Sequence, residues 1–229
     1  MSYKNGSVVG VDNPSGFMAA SGVWDLNAIH EDRTVDEWPT GVVIQLLETS
    51  NVSSSSDGAW RTGTYSFTSS SGISGTTGRF YILHYGTTGF RSDVQYDNIL
   101  IPTSGGDVTL DFDSSHENCQ TTHVNVGTDI ISAFASSQFY YIAGAGTANK
   151  WVRDSGGTGS SGTGNTMDGS NSTTGFYVYT ETSGTHPMSM LLRTPEFTLG
   201  SSGTFSWREG YRGTQLASST RELYWIGSP

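Results

Sequence analysis

Gly175-Phe-Tyr-Val-Tyr-Thr-Glu-Thr-Ser183 decides the fold class, together with the flanking Trp151-Val-Arg-Asp154, Met190-Leu-Leu-Arg-Thr-Pro-Glu-Phe197 and Gly203-Thr-Phe-Ser-Trp207. In an extended chain Phe176, Val178 and Thr180 point one way while Tyr177, Tyr179 and Glu181 point the other, the period-2 alternation of a strand with two different faces. Pro195 interrupts the next segment where an edge or bulge tolerates a missing N–H, and Pro187 falls in the turn before it. The region reads as antiparallel β. Outward from it, Val42-Val-Ile-Gln-Leu-Leu-Glu48 is apolar on both faces, as a buried strand requires. Trp60 to Phe67, Arg79 to Tyr85 and Gly89 to Ile99 follow as strands, and Asp107 to Asp113 alternates Val108, Leu110 and Phe112 with aspartates. Residues 128–143 form two strands that pack Ile130, Ile131, Phe134, Phe139, Tyr140, Tyr141 and Ile142.

Between these strands lie the breakers. Residues 154–174 carry almost no large apolar side chain and are expected as a long exposed loop. Pro102 to Gly106 is a turn or linker, the best candidate boundary. Residues 1–20 are punctuated by Gly6, Gly10, Pro14 and Gly16 and read as an irregular arm that orders on a partner. After Asp25 a short helix is expected from about Leu26 to Asp32. The organisation expected is an arm with a short helix over 1–40 and a β-sandwich over 41–229, with a subdivision near 102–106.

Composition narrows function. The chain has 229 residues, 30 glycines, 12% aromatic and only 14% charged residues, which describes short strands joined by tight turns. A net charge of −10 argues against nucleic acid, which needs a basic face for its phosphates. No apolar run is long enough to insert into a membrane, and the first residues lack the apolar core of a signal peptide, so synthesis in a cytoplasm without a cleaved leader is expected. Cys119 is the single cysteine and has no intramolecular disulfide partner, which leaves packing or oligomerisation to hold the fold. Gly157-Thr-Gly159-Ser-Ser-Gly162 matches a dinucleotide fingerprint in letters only, since no helix follows it. With no G-x-S-x-G elbow and no P-loop lysine, a non-enzyme is expected.

Two resemblances add to this reading. The segment Ser21-Gly22-Val23-Trp24-x-Leu26, followed by Trp38-Pro39, resembles a segment recurring near the termini of bacteriophage tail-fibre and other virion proteins. The aromatic strands from Trp151 to Gly213, with Gly89 to Ile99 matching a closing strand at Asp93, Val94, Asp97, Asn98 and Ile99, are similar to a MAM-type jelly roll of the concanavalin-like class. The two halves stand in swapped order, which implies a circularly permuted jelly roll or half-sandwiches completed by a neighbouring subunit. The resemblances imply a virion structural protein (tail fibre, fibre adaptor or capsid decoration) that docks on other virion proteins through Val23, Trp24, Leu26, Trp38 and Pro39. Homo-oligomerisation, plausibly as a trimer, would close sheet edges. The alternative is a free carbohydrate-binding or adhesion module.

Three side-chain groups are candidate sites, each weighed against a plainer role. Tyr177, Tyr179, Trp207 and Tyr211 are candidates for stacking on host-surface glycan, against filling the core. Asp93, Asp97, Asp111 and Asp113 are candidates for Ca2+, against solvated outer-face carboxylates. His116, Glu117, Cys119 and His123 have the density of a zinc site, against a polar loop with a half-buried thiol.

Overall fold

The computed structural model describes residues 23–25, 43–52, 58–86, 89, 91–124, 139–144, 150–183, 188–216 and 219–229. The expected helix from Leu26, the docking residues Leu26, Trp38 and Pro39, and most of the expected arm lie outside the described residues. Fifteen strands are described: β1 (Val23–Asp25), β2 (Val43–Val52), β3 (Trp60–Phe67), β4 (Thr77–Gly86), β5 (Val94–Thr103), β6 (Gly106–Leu110), β7 (Gln120–Val124), β8 (Tyr140–Tyr141), β9 (Ala143–Gly144), β10 (Lys150–Asp154), β11 (Tyr177–Glu181), β12 (Met188–Arg193), β13 (Phe197–Thr198), β14 (Gly203–Tyr211) and β15 (Ser219–Ser228). No α-helix occurs among the described residues.

The strands form two sheets. The first runs β1-β2-β15-β4-β12-β7-β8, with β13 also on β4; the second runs β3-β14-β5-β11-β10-β9, with β6 also on β5. Pairing is antiparallel except for the short β9–β10 contact. The all-β sandwich expected from the alternation is the observed architecture. Its halves interleave: β14 lies between β3 and β5, and β15 lies between β2 and β4. Each sheet is thus assembled from both halves of one chain. Residues 102–106, read above as a candidate boundary, are the tight turn of the β5–β6 hairpin, with Pro102 opposite Asp107 and Thr103 opposite Gly106. A hairpin inside one sheet divides nothing.

The core lies between the sheets. Phe80, Ile82, Leu192, Leu223 and Trp225 of the first sheet face Tyr96, Ile99, Ile101, Phe205 and Trp207 of the second, all buried in one cluster. Phe205 stands 5.9 Å from Phe80 and 5.7 Å from Trp225, ring centre to ring centre, and Trp207 is 6.0 Å from Phe80. These tilted contacts are the arrangement that ring quadrupoles favour. The first sheet also buries a row on its other face, including Ile44, Tyr81, Leu83, Leu191, Tyr224 and Ile226. This accounts for β2 reading as apolar on both faces.

One motif has a specific geometric role. Along β5, Val94 and Tyr96 point into the core, and so do Ile99 and Ile101. Even and odd positions can share a face only if the chain inserts one residue, and the β14–β5 register shifts there, between the pairs Ser206↔Leu100 and Arg208↔Asp97. Asn98 takes φ 48 at that bulge, a left-handed conformation that asparagine tolerates better than most residues. The Asp97-Asn98 pair is therefore where the strand changes phase.

Candidate functional site

The outer face of the second sheet is not bare. Residues 155–176 lie across it as a strap, where 154–174 were expected as an exposed loop, and Thr163, Asn165 and Asp168 within that strap are 5%, 4% and 1% exposed. Hydrogen bonds hold it. Trp60 Nε1 donates to the Met167 carbonyl at 2.9 Å and Arg208 Nε to the Gly169 carbonyl at 3.1 Å. Gln95 Oε1 accepts from Asn165 N at 3.1 Å, and Asn98 Nδ2 donates to Ser170 Oγ at 2.8 Å. The Tyr177 hydroxyl donates to the Asn165 carbonyl at 3.0 Å. Glycine is required where the strap comes closest: a Cβ on Gly169 would stand 2.9 Å from the Asp97 side chain and from Arg208 Cβ. A polar, glycine-rich segment can lie against the sheet because backbone groups at Asn165, Met167 and Gly169 find side-chain partners there.

This strap decides the fate of the stacking candidates. Tyr177 and Tyr179 lie beneath it in a small cluster with Val152, against which Trp60 packs. Trp207 and Tyr211 point the other way into the inter-sheet core. Tyr177, Tyr179 and Trp207 are 0% exposed and Tyr211 6%. Of the two roles weighed for these rings, filling the interior is the one their burial supports: alternation places them on two faces, and both faces are covered.

The aspartates divide similarly. Asp93 Oδ1 accepts from Thr182 N at 3.1 Å and Thr182 Oγ1 at 2.7 Å, while its Oδ2 accepts from Thr163 Oγ1 at 3.0 Å. Asp97 accepts from Asn98 N and Gly169 N, both at 2.7 Å. Asp111 and Asp113 are exposed, and Asp113 Oδ1 accepts from Phe176 N at 2.8 Å. The first pair thus holds the strap, and the four do not converge. Among the described residues no group of three His, Cys, Asp or Glu could hold a metal ion. Desolvation raises the Asp93 carboxyl to about 6, against the lowering effect of the Thr182 bonds, and raises Asp97 to about 8. Asp168, which the sequence reading passed over, accepts from Ser170 N at 2.9 Å and Ser172 N at 2.6 Å and adds to the repulsion on Asp97. The solvated carboxylates weighed above describe Asp111 and Asp113 but not Asp93 and Asp97.

A charged pin crosses the sandwich. Arg221 of β15 contacts Glu48 of β2 at 2.8 Å and Glu209 of β14, in the opposite sheet, at 2.8 Å. Trp207 Nε1 donates to Glu209 at 3.1 Å. Cys119 is 0% exposed, and desolvation pushes its thiol well above the usual range. His116 is stacked on Tyr141, ring centres 4.8 Å apart, so it is turned to an aromatic ring.

That stack belongs to an exposed patch. Tyr140 is 50% and Tyr141 58% exposed, although residues 139–142 were expected to pack together into strands. Only Ile142 of the tyrosine-flanking pair joins the core, because β8 is a two-residue edge strand that leaves both of its rings outside. The one docking element described is β1, which pairs with β2 at the sheet edge, Val23 opposite Gln45 and Trp24 opposite Ile44. No family model, curated protein or solved structure matches this chain.

Proposed function

We propose that the chain is a non-catalytic structural component of a bacteriophage particle, docked on other virion proteins through the Val23 to Pro39 segment and presenting the sandwich outward. The observation that carries this reading is the seating of Val23–Asp25, the first part of the virion-like segment, as a strand on the rim of the first sheet. Trp24 and Trp38 are the aromatic anchors this reading assigns to the interface. The particle is the location that this role implies, and further copies of the chain would cover the sheet edges.

Particles carrying the full chain with Trp24→Ala and Trp38→Ala test the reading. Gradient purification followed by mass spectrometry should show the wild-type chain in the particle fraction and the double variant depleted about tenfold. A wild-type chain absent from particles would sink the proposal. A second reading, a free adhesion module, is favoured by the exposed Tyr140 and Tyr141 and would then stand alone.

A further inference from the structure

Large apolar side chains are exposed at only three described positions, Tyr140, Tyr141 and Met167, and two of these are neighbours on one edge strand. Exposed aromatic surface is costly in water, and adjacent examples mark an interaction site more often than scattered ones do. The surroundings are specific. His116 backs one side of the Tyr141 ring at 4.8 Å with an interplanar angle of 22°, which orients a flat surface with its other side to solvent. Tyr141 lies opposite Gln120 of β7. Gln120 Oε1 accepts from Arg193 Nε at 2.9 Å and Nη2 at 2.7 Å, and the same guanidinium stacks on Phe139 at 3.6 Å. On the other side of the strand, the Lys150 ammonium stands 5.7 Å from the Tyr140 ring centre.

We propose that the rim formed by Tyr141, His116, Gln120 and Arg193, extended by Tyr140 and Lys150, binds an acidic saccharide, a pyranoside carrying a carboxylate. A pyranose has one apolar face of C–H groups that stacks on an aromatic ring and a rim of hydroxyls that meets polar side chains, and Tyr141 with Gln120 supplies both. The charge argument selects the acidic class. The chain carries 21 Asp and Glu against 11 Lys and Arg, yet the Lys150 ammonium stands at the Tyr140 ring, and at the same edge the Arg193 guanidinium is held by Gln120 and stacked on Phe139. Glu117, beside His116, is the acidic neighbour of the rim. Among the described residues the patch is two exposed rings on a two-residue strand, against the ~800 Å2 per partner of a stable protein interface. A short oligosaccharide fits that scale, with one ring on Tyr141 and a neighbouring sugar reaching Tyr140 around the strand edge.

The inference rests on outward presentation for its biological meaning, but its test is independent of particle assembly. The isolated full chain is titrated with 3′-sialyllactose and with oligogalacturonate as acidic probes, and with lactose as the neutral probe, by calorimetry and saturation-transfer NMR. An acidic probe should bind with a dissociation constant on the order of 1 mM, and Tyr141→Ala should weaken it about tenfold while leaving the melting temperature unchanged. Tyr141→Phe should retain most of the affinity. Lys150→Gln should weaken the acidic probe about threefold at low salt and leave any lactose signal unaltered. Absence of binding by both acidic probes overturns the proposal, as does an affinity indifferent to Tyr141→Ala. A change of oligomeric mass in Tyr141→Ala, read by light scattering, overturns it in favour of a contact between copies. Particle incorporation of Tyr141→Ala should match wild type, so failure of the saccharide site and failure of the virion reading are separately visible.

Discussion

Between the sheets, Phe80 and Trp225 meet Phe205 and Trp207 with ring centres 5.7–6.0 Å apart, and almost every contact is apolar. On the far side of the second sheet, Thr163, Asn165 and Asp168 are buried nearly as fully, with hydrogen bonds in place of apolar contacts. The difference lies in what each burial depends on. The core gains from removing area from water, which is non-directional and tolerates some repacking. The strap gains only if each buried donor and acceptor is matched, so its stability is set by a handful of distances and by the protonation of the carboxyls beneath it. Two kinds of interior therefore lie on opposite faces of one sheet.

The contrast can be broken first from the core side. Phe205→Ala removes a ring in contact with both sheets and should cost about 3–5 kcal/mol, lowering the melting temperature of the whole β-fold in one transition. Next comes the Arg221 pin, an ionic contact inside the core. Arg221→Met leaves Glu209 buried without its cation, at a cost of about 3 kcal/mol near neutral pH, and Glu209→Gln added to it should recover a large part. If denaturant midpoints show the double variant no better than the single one, the pin is not an ionic contact.

The strap responds to pH where the apolar core does not. Burial raises Asp93 to about 6 from 3.8, so its neutral form is favoured in the fold. The contribution is therefore fully present below the unfolded value and is lost as pH rises through about 6. Asp97, raised to about 8, extends that loss toward alkaline pH. Asp93→Asn keeps an acceptor for Thr182 and removes the charge. Relative to wild type it should be near neutral at pH 4 and stabilising by about 2–3 kcal/mol at pH 8, read from denaturant midpoints across that range. A difference independent of pH would show that Asp93 is not desolvated by the strap.

Two smaller effects sharpen the comparison. Trp60→Phe removes the bond to the Met167 carbonyl and part of the ring packed against Tyr177, and should cost about 1–2 kcal/mol. Faster amide exchange should then be confined to residues 156–170, with core strands protected as before. At Cys119, iodoacetamide should label the thiol of the native chain far more slowly than that of the unfolded chain, with no change in stability at all, because burial suppresses the thiolate.

How much of this was legible follows the same division. Period-2 alternation in Phe176 to Glu181 and in Asp107 to Asp113 named strands because side-chain direction in an extended chain is a local property. The double-sided apolar run Val42 to Glu48 likewise announced a strand buried on both faces. It was the covering of the faces that local pattern could not supply. Residues 154–174 read as exposed because they carry almost no large apolar side chain, and nothing local shows that Asp93, Gln95, Asp97 and Trp60 wait on a neighbouring surface to satisfy them. The same gap left Tyr177, Tyr179, Trp207 and Tyr211 open between glycan stacking and the core, and it packed Tyr140 and Tyr141 with their neighbours in strands.

The chain by itself determined an all-β sandwich without an intramolecular disulfide and the aromatic composition of its core, since these depend on residue order and backbone geometry. Tertiary structure alone decided that the two halves interleave, that a glycine-rich segment becomes a buried strap, and that exposed aromatic rings lie on the β8 edge. The physical reason is that burial belongs to pairs of surfaces, and the sequence specifies each surface separately until strand pairing brings them together.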